Sequence, residues 1–189
     1  MLTRGGFLRA GAVAGAAGVG GLLPVTAARA RLPAPTPVAD DAAFLQFTVI
    51  AERGSLAYYR RIGSKAAARQ KAEHVRRLTA ALGADAPATD DFAIALPARA
   101  FATPTATIAL GMRLEALLVG VLLSGVTSTV DGATRLLLGR LLANDAQHLA
   151  DLRHAAGQPA AQGLAVPLEL EAAGTELDRL LKTTNYPTA

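Results

Sequence analysis

The stretch 141–153 reads LLANDAQHLADLR and places a carboxylate and an imidazole inside an apolar pattern. Asp145 and His148 are three residues apart, so on a helix their side chains lie on the same face. Four leucines surround the pair, which indicates that it faces the interior of a helical bundle rather than water: Leu141, Leu142, Leu149 and Leu152. A buried acid needs a cation, a hydrogen-bond donor or a metal, which the rest of the chain has to supply.

The composition favours helices over strands. Of the 189 residues, 51% are hydrophobic, mainly Ala and Leu, and only 4% are aromatic. This predicts one all-α domain with extensions. Because the chain has no cysteine, disulfides, thiolate metal sites and cysteine nucleophiles are excluded.

The formal charge of +4 comes mostly from the first thirty residues, which hold Arg4, Arg9 and Arg29 and no acid. Removing these three from the 19 basic residues leaves 16, against 15 acidic residues. A remainder this close to neutrality lacks the basic patch of a nucleic-acid-binding domain. We therefore expect no nucleic-acid partner.

Residues 1–30 have the layout of a secretory signal peptide. A basic start is followed by an uncharged run of 14 residues at 10–23, too short to span a bilayer comfortably, and then by Ala28-Arg29-Ala30, an A-x-A end. Residues 3–9, TRGGFLR, resemble the twin-arginine export pattern S/T-R-R-x-F-L-K, with Gly5 in place of the second arginine. We expect export to the periplasm or cell envelope, with an uncleaved membrane anchor or a disordered tail as the alternatives, and a Pro-rich linker at 31–40.

Capping residues and turn glycines predict four long helices and a shorter fifth. The first predicted helix runs from N-caps at Asp40 and Asp41 to Ile62. The others are Lys65–Leu82, Pro104–Val130 with Thr103 as its N-cap, Ala133–Ala156 and Pro167–Leu181. The apolar run of the third helix, from Ala116 to Leu123 and a little beyond, is broken by Ser and Gly. We interpret it as a buried core helix rather than a membrane span.

The long connection at about 84–102 separates two helical hairpins and contains Pro87 and Pro97. Two antiparallel pairs joined by one long crossover form the ferritin-like arrangement of a four-helix bundle. The predicted domain is therefore a bundle at 41–157, followed by an extension at 158–189 with the short helix.

Equal distances from the two turns predict a polar layer across the bundle, since both helices of a hairpin rise equally per residue. Glu52 and His74 each lie eleven residues from Gly63, and Glu115 and His148 lie equally far from the second turn. Four helices that each contribute an acid or a histidine at matched heights are typical of a core that holds two iron or manganese ions. The predicted metal ligands are Glu52, His74, Glu115, Asp145 and His148.

The chain resembles the ferritin-like superfamily in Glu52, in Ala72-Glu73-His74-Val75, in Leu114-Glu115 and in Asp145-x-x-His148. More narrowly, it looks like exported bacterial ferritin-like proteins with a twin-arginine-type leader and a C-terminal extension. The family has an acid three residues before the histidine of the second helix, where this chain has Lys71. Asp145 stands where the family has Glu and has a shorter reach.

Lys71 leaves three alternatives open for the predicted site. An intact two-metal centre would make the protein a metal-dependent oxidase or peroxide scavenger. Outward snorkelling of Lys71 would leave a single-metal site of His148, Asp145 and Glu115. Pairing of Lys71 with Glu52, Glu115 or Asp145 would give a metal-free, salt-bridged core. In that case we expect a non-enzymatic envelope protein that serves interaction or homo-oligomerisation, with glycines such as Gly111, Gly120, Gly125 and Gly139 allowing close helix approach within the bundle or between subunits.

Overall fold

A computed structural model describes residues 39–89, 94–163 and 165–181 of the chain. These residues form helices, turns and extended connections and no strand, which confirms the prediction of an all-helical chain. The five α-helices are α1 (Ala39–Arg61), α2 (Lys65–Leu82), α3 (Pro104–Ser128), α4 (Gly132–Ala155) and α5 (Leu170–Leu181). The predicted signal peptide, residues 31–38 of the predicted linker and residues 182–189 lie outside the described part.

Helix ends follow local sequence signals. Gly63 and Gly83 end α1 and α2 with φ values of 74° and 59°, in the left-handed region that glycine adopts without steric cost. At the start of α3, the Thr103 hydroxyl accepts a hydrogen bond from the Ala106 N–H at 3.1 Å. Ser64 occupies the N-cap position of α2 but forms no side-chain capping bond.

Asp41 does not cap α1, so that prediction is wrong. The helix already begins at Ala39, and the Asp41 carboxylate is buried against the turn between α3 and α4. It accepts hydrogen bonds from the Val130 N–H at 3.0 Å and from the Asp131 N–H at 3.1 Å. Asp131 in turn caps α4 by accepting from the Thr134 N–H. These hydrogen bonds hold the first turn of α1 against the turn between α3 and α4.

The four long helices pack as two hairpins, α1 with α2 and α3 with α4, and α1 also packs along α3. Helices α2 and α4 contact each other at few positions. The connection at 83–103 contains two short 3₁₀ turns, Gly83–Asp85 and Ala98–Phe101, and no α-helix in its described residues. This arrangement is compatible with a four-helix bundle that has one long crossover.

Helix α5 covers α1 and α3 with its apolar face. Its buried residues are Ala173, Leu177, Leu180 and Leu181. The helix begins three residues later than predicted, because the Leu168 N–H donates to the Gly120 carbonyl of α3 at 3.0 Å and holds the preceding segment extended. The predicted C-terminal helix is therefore present and forms part of the core.

Among the described helices, α3 is the one long and apolar enough to cross a membrane by length and composition. Our length argument against a membrane span was therefore wrong. More than half of its most apolar window is buried, and the helix carries the fully buried acid Glu115. A core helix has both properties, so burial rather than length supports that interpretation.

Glycines of α3 allow close approach within the chain. A side chain at Gly111 would collide with the ring of Tyr58, and a Cβ at Gly120 would lie 3.0 Å from the Cβ of Leu168. A Cβ at Gly125 would lie 2.9 Å from a methyl group of Leu138. Of the two roles predicted for these small residues, packing inside the chain accounts for all three, and homo-oligomerisation stays a prediction.

Candidate functional site

Each of the four long helices contributes a buried charged or polar side chain to one ionic cluster. We define the ionic cluster as Glu52 on α1, Lys71 and His74 on α2, Glu115 on α3 and Asp145 on α4. Lys71 and the three acids are fully buried, and His74 is 7% exposed. These residues interrupt otherwise apolar helix faces, so burial of the faces carries them into the interior.

The ammonium of Lys71 lies at the centre of the ionic cluster. Its Nζ donates to Asp145 Oδ1 at 2.6 Å and to Glu115 Oε2 at 2.9 Å. It also lies 3.2 Å from Glu52 Oε2, an ion pair without hydrogen-bond geometry. One cation thus contacts acids from three other helices.

Two further hydrogen bonds hold the acids in place. His74 Nδ1 lies 2.8 Å from Glu52 Oε1 and 3.4 Å from Asp145 Oδ1. The Ser55 hydroxyl donates to Glu115 Oε1 at 2.6 Å. Our sequence interpretation missed Ser55, although its position three residues after Glu52, on the same face of α1, could have indicated it.

Burial and the neighbouring charges shift the pKa values of the cluster in different directions. Burial lowers the pKa of Lys71, but Glu52, Glu115 and Asp145 more than offset this, so its pKa is raised and the ammonium stays charged. Burial raises the pKa of Glu52, and burial together with the charge of Glu52 raises that of Asp145 well above its usual value. Three carboxylates and one ammonium carry two excess negative charges, so a proton on the Glu52–Asp145 pair relieves repulsion.

His74 is neutral in this setting, because burial lowers its pKa despite the nearby charge of Asp145. With the proton of the pair on Asp145, Glu52 is ionised and can only accept, so the hydrogen of the neutral ring is assigned to Nδ1 and the lone pair to Nε2. Neutral His74 can therefore donate a hydrogen bond to Glu52 through Nδ1 and accept one through Nε2, on the opposite side of the ring.

His148 is buried beside the aromatic ring of Tyr59 rather than in the ionic cluster. The two ring centroids are 5.2 Å apart. His148 Nε2 and the Tyr59 hydroxyl are both buried, and neither has a hydrogen-bond partner in the described part of the chain. Burial, followed by the charge of Lys71, lowers the pKa of His148, while burial and the charge of Glu115 raise that of Tyr59.

No family model matches the chain, and searches of curated proteins and of solved structures find no match. The ferritin-like resemblance therefore stays a prediction.

Of the five predicted metal ligands, three lie close enough to share an ion. One ligand atom each of Glu52, His74 and Asp145 lie within 4.8 Å of one another, and this buried group could hold a metal ion. Glu115 belongs to the ionic cluster through Lys71 but not to this group. His148 lies outside it.

The geometry does not fit a two-metal centre while Lys71 keeps its position. Both oxygens of Glu115 are engaged, one by Ser55 and one by Lys71, and the ammonium would repel two divalent ions. Outward snorkelling of Lys71 is contradicted, because the side chain is fully buried. Pairing with the acids is the alternative that the structure adopts, with all three acids at once rather than with one.

Proposed function

We propose that this chain is an exported ferritin-like domain protein in which the Lys71 ammonium takes the place of the metal ions. On this proposal it acts in the cell envelope as a non-enzymatic structural or interaction protein. The observation that carries the proposal is the contact of one buried Nζ with acids of α1, α3 and α4. The ammonium offsets one of the three negative charges and cross-links the acids, which is the structural role that cations play in a carboxylate-lined core.

A metal-binding function is the second candidate, and one observation favours it. Glu52 Oε2 and Asp145 Oδ2 are buried and accept no hydrogen bond from any described residue. Together with His74 they offer two oxygens and one nitrogen, a ligand set that suits iron or manganese. An ion there would have to displace the Lys71 ammonium, which lies 2.6 Å from the other oxygen of Asp145.

Elemental analysis after anaerobic equilibration with ferrous iron or manganese, followed by desalting, separates the two candidates. We expect the wild-type chain to retain no stoichiometric metal and its melting temperature to be unchanged by either ion. Lys71→Glu restores an acid three residues before His74, and we expect this variant to retain about two ions per chain. Lys65→Glu, an exposed change on the same helix, is the matched control and should behave as the wild type.

Retention of one ion by the wild type would favour the single-metal candidate, and retention of two would overturn our proposal. Circular dichroism of Lys71→Glu checks that the variant is folded. If it folds and binds no metal, the acids and histidines around position 71 do not form a metal site even without the lysine. The ferritin-like assignment then loses its support.

The interaction role has a separate test. Crosslinking of envelope extract from cells that carry a tagged chain should give a specific partner or a homo-oligomer. A strict monomer by analytical ultracentrifugation, with no crosslinked partner, would contradict this half of the proposal without affecting the metal-free core.

A further inference from the structure

A cavity of about 430 Å³ opens between α2 and α4 and meets the ionic cluster at His74, which lines it. It lies where these two helices contact each other at few positions. Its volume is in the range of small-molecule sites in proteins. Apart from His74, the residues that line this cavity take no part in the metal-free core or in the metal-binding alternative.

The lining of the cavity is basic. It contains the guanidinium groups of Arg69, Arg77 and Arg140 against the single carboxylate of Glu73, a formal charge of +2. Glu73 is already saturated, because both Arg76 and Arg77 donate to it and lower its pKa to about 2. Arg69 and Arg140 form no hydrogen bond or ion pair with any described residue. Two charged donor groups are therefore available to an anion.

Two residues with hydrogen-bond acceptors, Asn144 and His74, line the same cavity. The Oδ1 atom of Asn144 is buried and receives no hydrogen bond in the described part of the chain. The ring hydrogen of His74 is assigned to Nδ1, which lies 2.8 Å from Glu52 Oε1, so Nε2 is the nitrogen left to accept from the cavity. A simple anion would satisfy the guanidinium groups but neither of these acceptors. A ligand with an O–H group beside its negative charge would satisfy both kinds of partner.

We propose that this cavity binds a small organic oxyanion, a carboxylate or a phosphate ester, that also carries a hydroxyl group. Arg69 and Arg140 hold the anionic oxygens, and Asn144 Oδ1 accepts from the hydroxyl. The inference does not rest on the proposed function, because Arg69, Arg140 and Asn144 belong neither to the ionic cluster nor to the group that could hold a metal ion.

Isothermal titration of the full chain at constant ionic strength tests the proposal with matched probes. Malate and succinate differ by one hydroxyl group, and glycerol 3-phosphate provides the phosphate ester. We expect malate to bind about tenfold more tightly than succinate, since a hydrogen bond to a buried acceptor is gained. Whichever of malate and glycerol 3-phosphate binds more tightly identifies the anion class, and either result supports the proposal.

Two variants assign the binding to these residues. Asn144→Leu should abolish the difference between malate and succinate, and Arg140→Gln should weaken both about tenfold. Arg113→Gln, which removes an exposed arginine of α3 outside this cavity, is the control and should change nothing. Absence of binding by all three probes, equal affinities for malate and succinate, or equal losses in Arg140→Gln and Arg113→Gln would overturn the proposal.

Discussion

At the scale of single residues, Lys71 determines the chemistry of the interior. Its side chain is fully buried, and its ammonium contacts three carboxylates. A charged amine has no lone pair, so it can neutralise these acids but cannot act as a ligand. Near it, the ring nitrogen Nε2 of His148 is buried and has no hydrogen-bond partner in the described part of the chain, so a substitution there tests the cost of an unsatisfied group in the interior.

His148→Phe should stabilise the protein, and more so at low pH. Burial lowers the pKa of His148 in the folded state, so below about pH 6.5 the unfolded chain takes up a proton that the folded chain resists. The wild type therefore loses stability as the pH falls from that value through the folded-state pKa, whereas Phe removes this loss. At neutral pH, we expect a gain of about 1 kcal/mol from removing an unsatisfied buried nitrogen.

Urea unfolding of both proteins between pH 5 and pH 8 measures this difference. Because Glu52 and Asp145 are present in both, the opposite effect of their raised pKa values cancels in the comparison. A difference in the free energy of unfolding that stays constant over this range would contradict the prediction.

The sequence predicted which polar residues are buried better than it predicted which of them contact one another. Equal distances from Gly63 correctly placed His74 beside Glu52, because axial height follows from the helical rise alone. The same argument gives no rotation about the helix axis, so it could not show that His148 packs on Tyr59 instead of joining the acids. Nor could it fix the direction of Lys71, whose flexible stem reaches either inward or outward.

At the scale of helices, local signals mark the ends and distant contacts fasten them. Lys65–Leu82 was predicted to the residue, because Gly63, Ser64 and Gly83 lie next to it in sequence. The start of α1 was missed, since Asp41 is the type of residue that caps a helix but has its partners 89 and 90 residues away. No local pattern reveals such a partner.

Asp41→Ala should loosen the contact between α1 and the turn that joins α3 to α4. It removes acceptors from two backbone N–H groups, and we expect a loss of about 2 kcal/mol in the free energy of unfolding. Asp41→Asn keeps one carboxylate-like oxygen and should lose about half as much. Hydrogen exchange at Val130 and Asp131 should accelerate in both variants, and unchanged protection of these two amides would contradict the assignment.

Gly111→Ala and Gly139→Ala should have opposite effects on stability, although both lie inside helices. A methyl group at Gly111 meets the Tyr58 ring and disturbs the hydrogen bond from the Tyr58 hydroxyl to the Thr107 carbonyl, costing about 1–3 kcal/mol. At Gly139 the nearest atom would be 3.9 Å away, so alanine should stabilise α4 by about 0.5–1 kcal/mol. Thermal unfolding of the pair checks both signs, and a loss at both positions would show that α4 needs the glycine for another reason.

At the scale of the whole molecule, the ionic cluster joins the two hairpins through one cation. Lys71 and His74 belong to the first hairpin with Glu52, whereas Glu115 and Asp145 belong to the second. The few direct contacts between α2 and α4 make this ionic link a large share of what connects those two helices. Removing the Lys71 ammonium should therefore lower the free energy of unfolding of the whole molecule and not only loosen α2.

Lys71→Met keeps an apolar stem but leaves the three acids without their cation, and we expect a loss of about 3–5 kcal/mol in the free energy of unfolding. Without the ammonium, the folded-state pKa values of Glu52 and Asp145 rise further. The variant should therefore regain stability as the pH falls and lose it as the pH rises through those pKa values. Lys65→Met, which removes an exposed lysine of the same helix, is the control. Equal stability of the two variants in urea at pH 8 would contradict a central role for Lys71.

The hydrogen bonds that the Asp41 carboxylate accepts from the α3–α4 turn have a consequence for the order of folding events. A chain that has formed only its first hairpin holds Asp41 without the amides that satisfy it and leaves Lys71 with Glu52 as its one acid, since Asp145 follows Lys71 by 74 residues and Val130 follows Asp41 by 89. Such distant pairings cost loop entropy before they return any free energy. The first hairpin alone is therefore weakly stabilised, and the hydrogen bonds at the α3–α4 turn form only when the two hairpins meet.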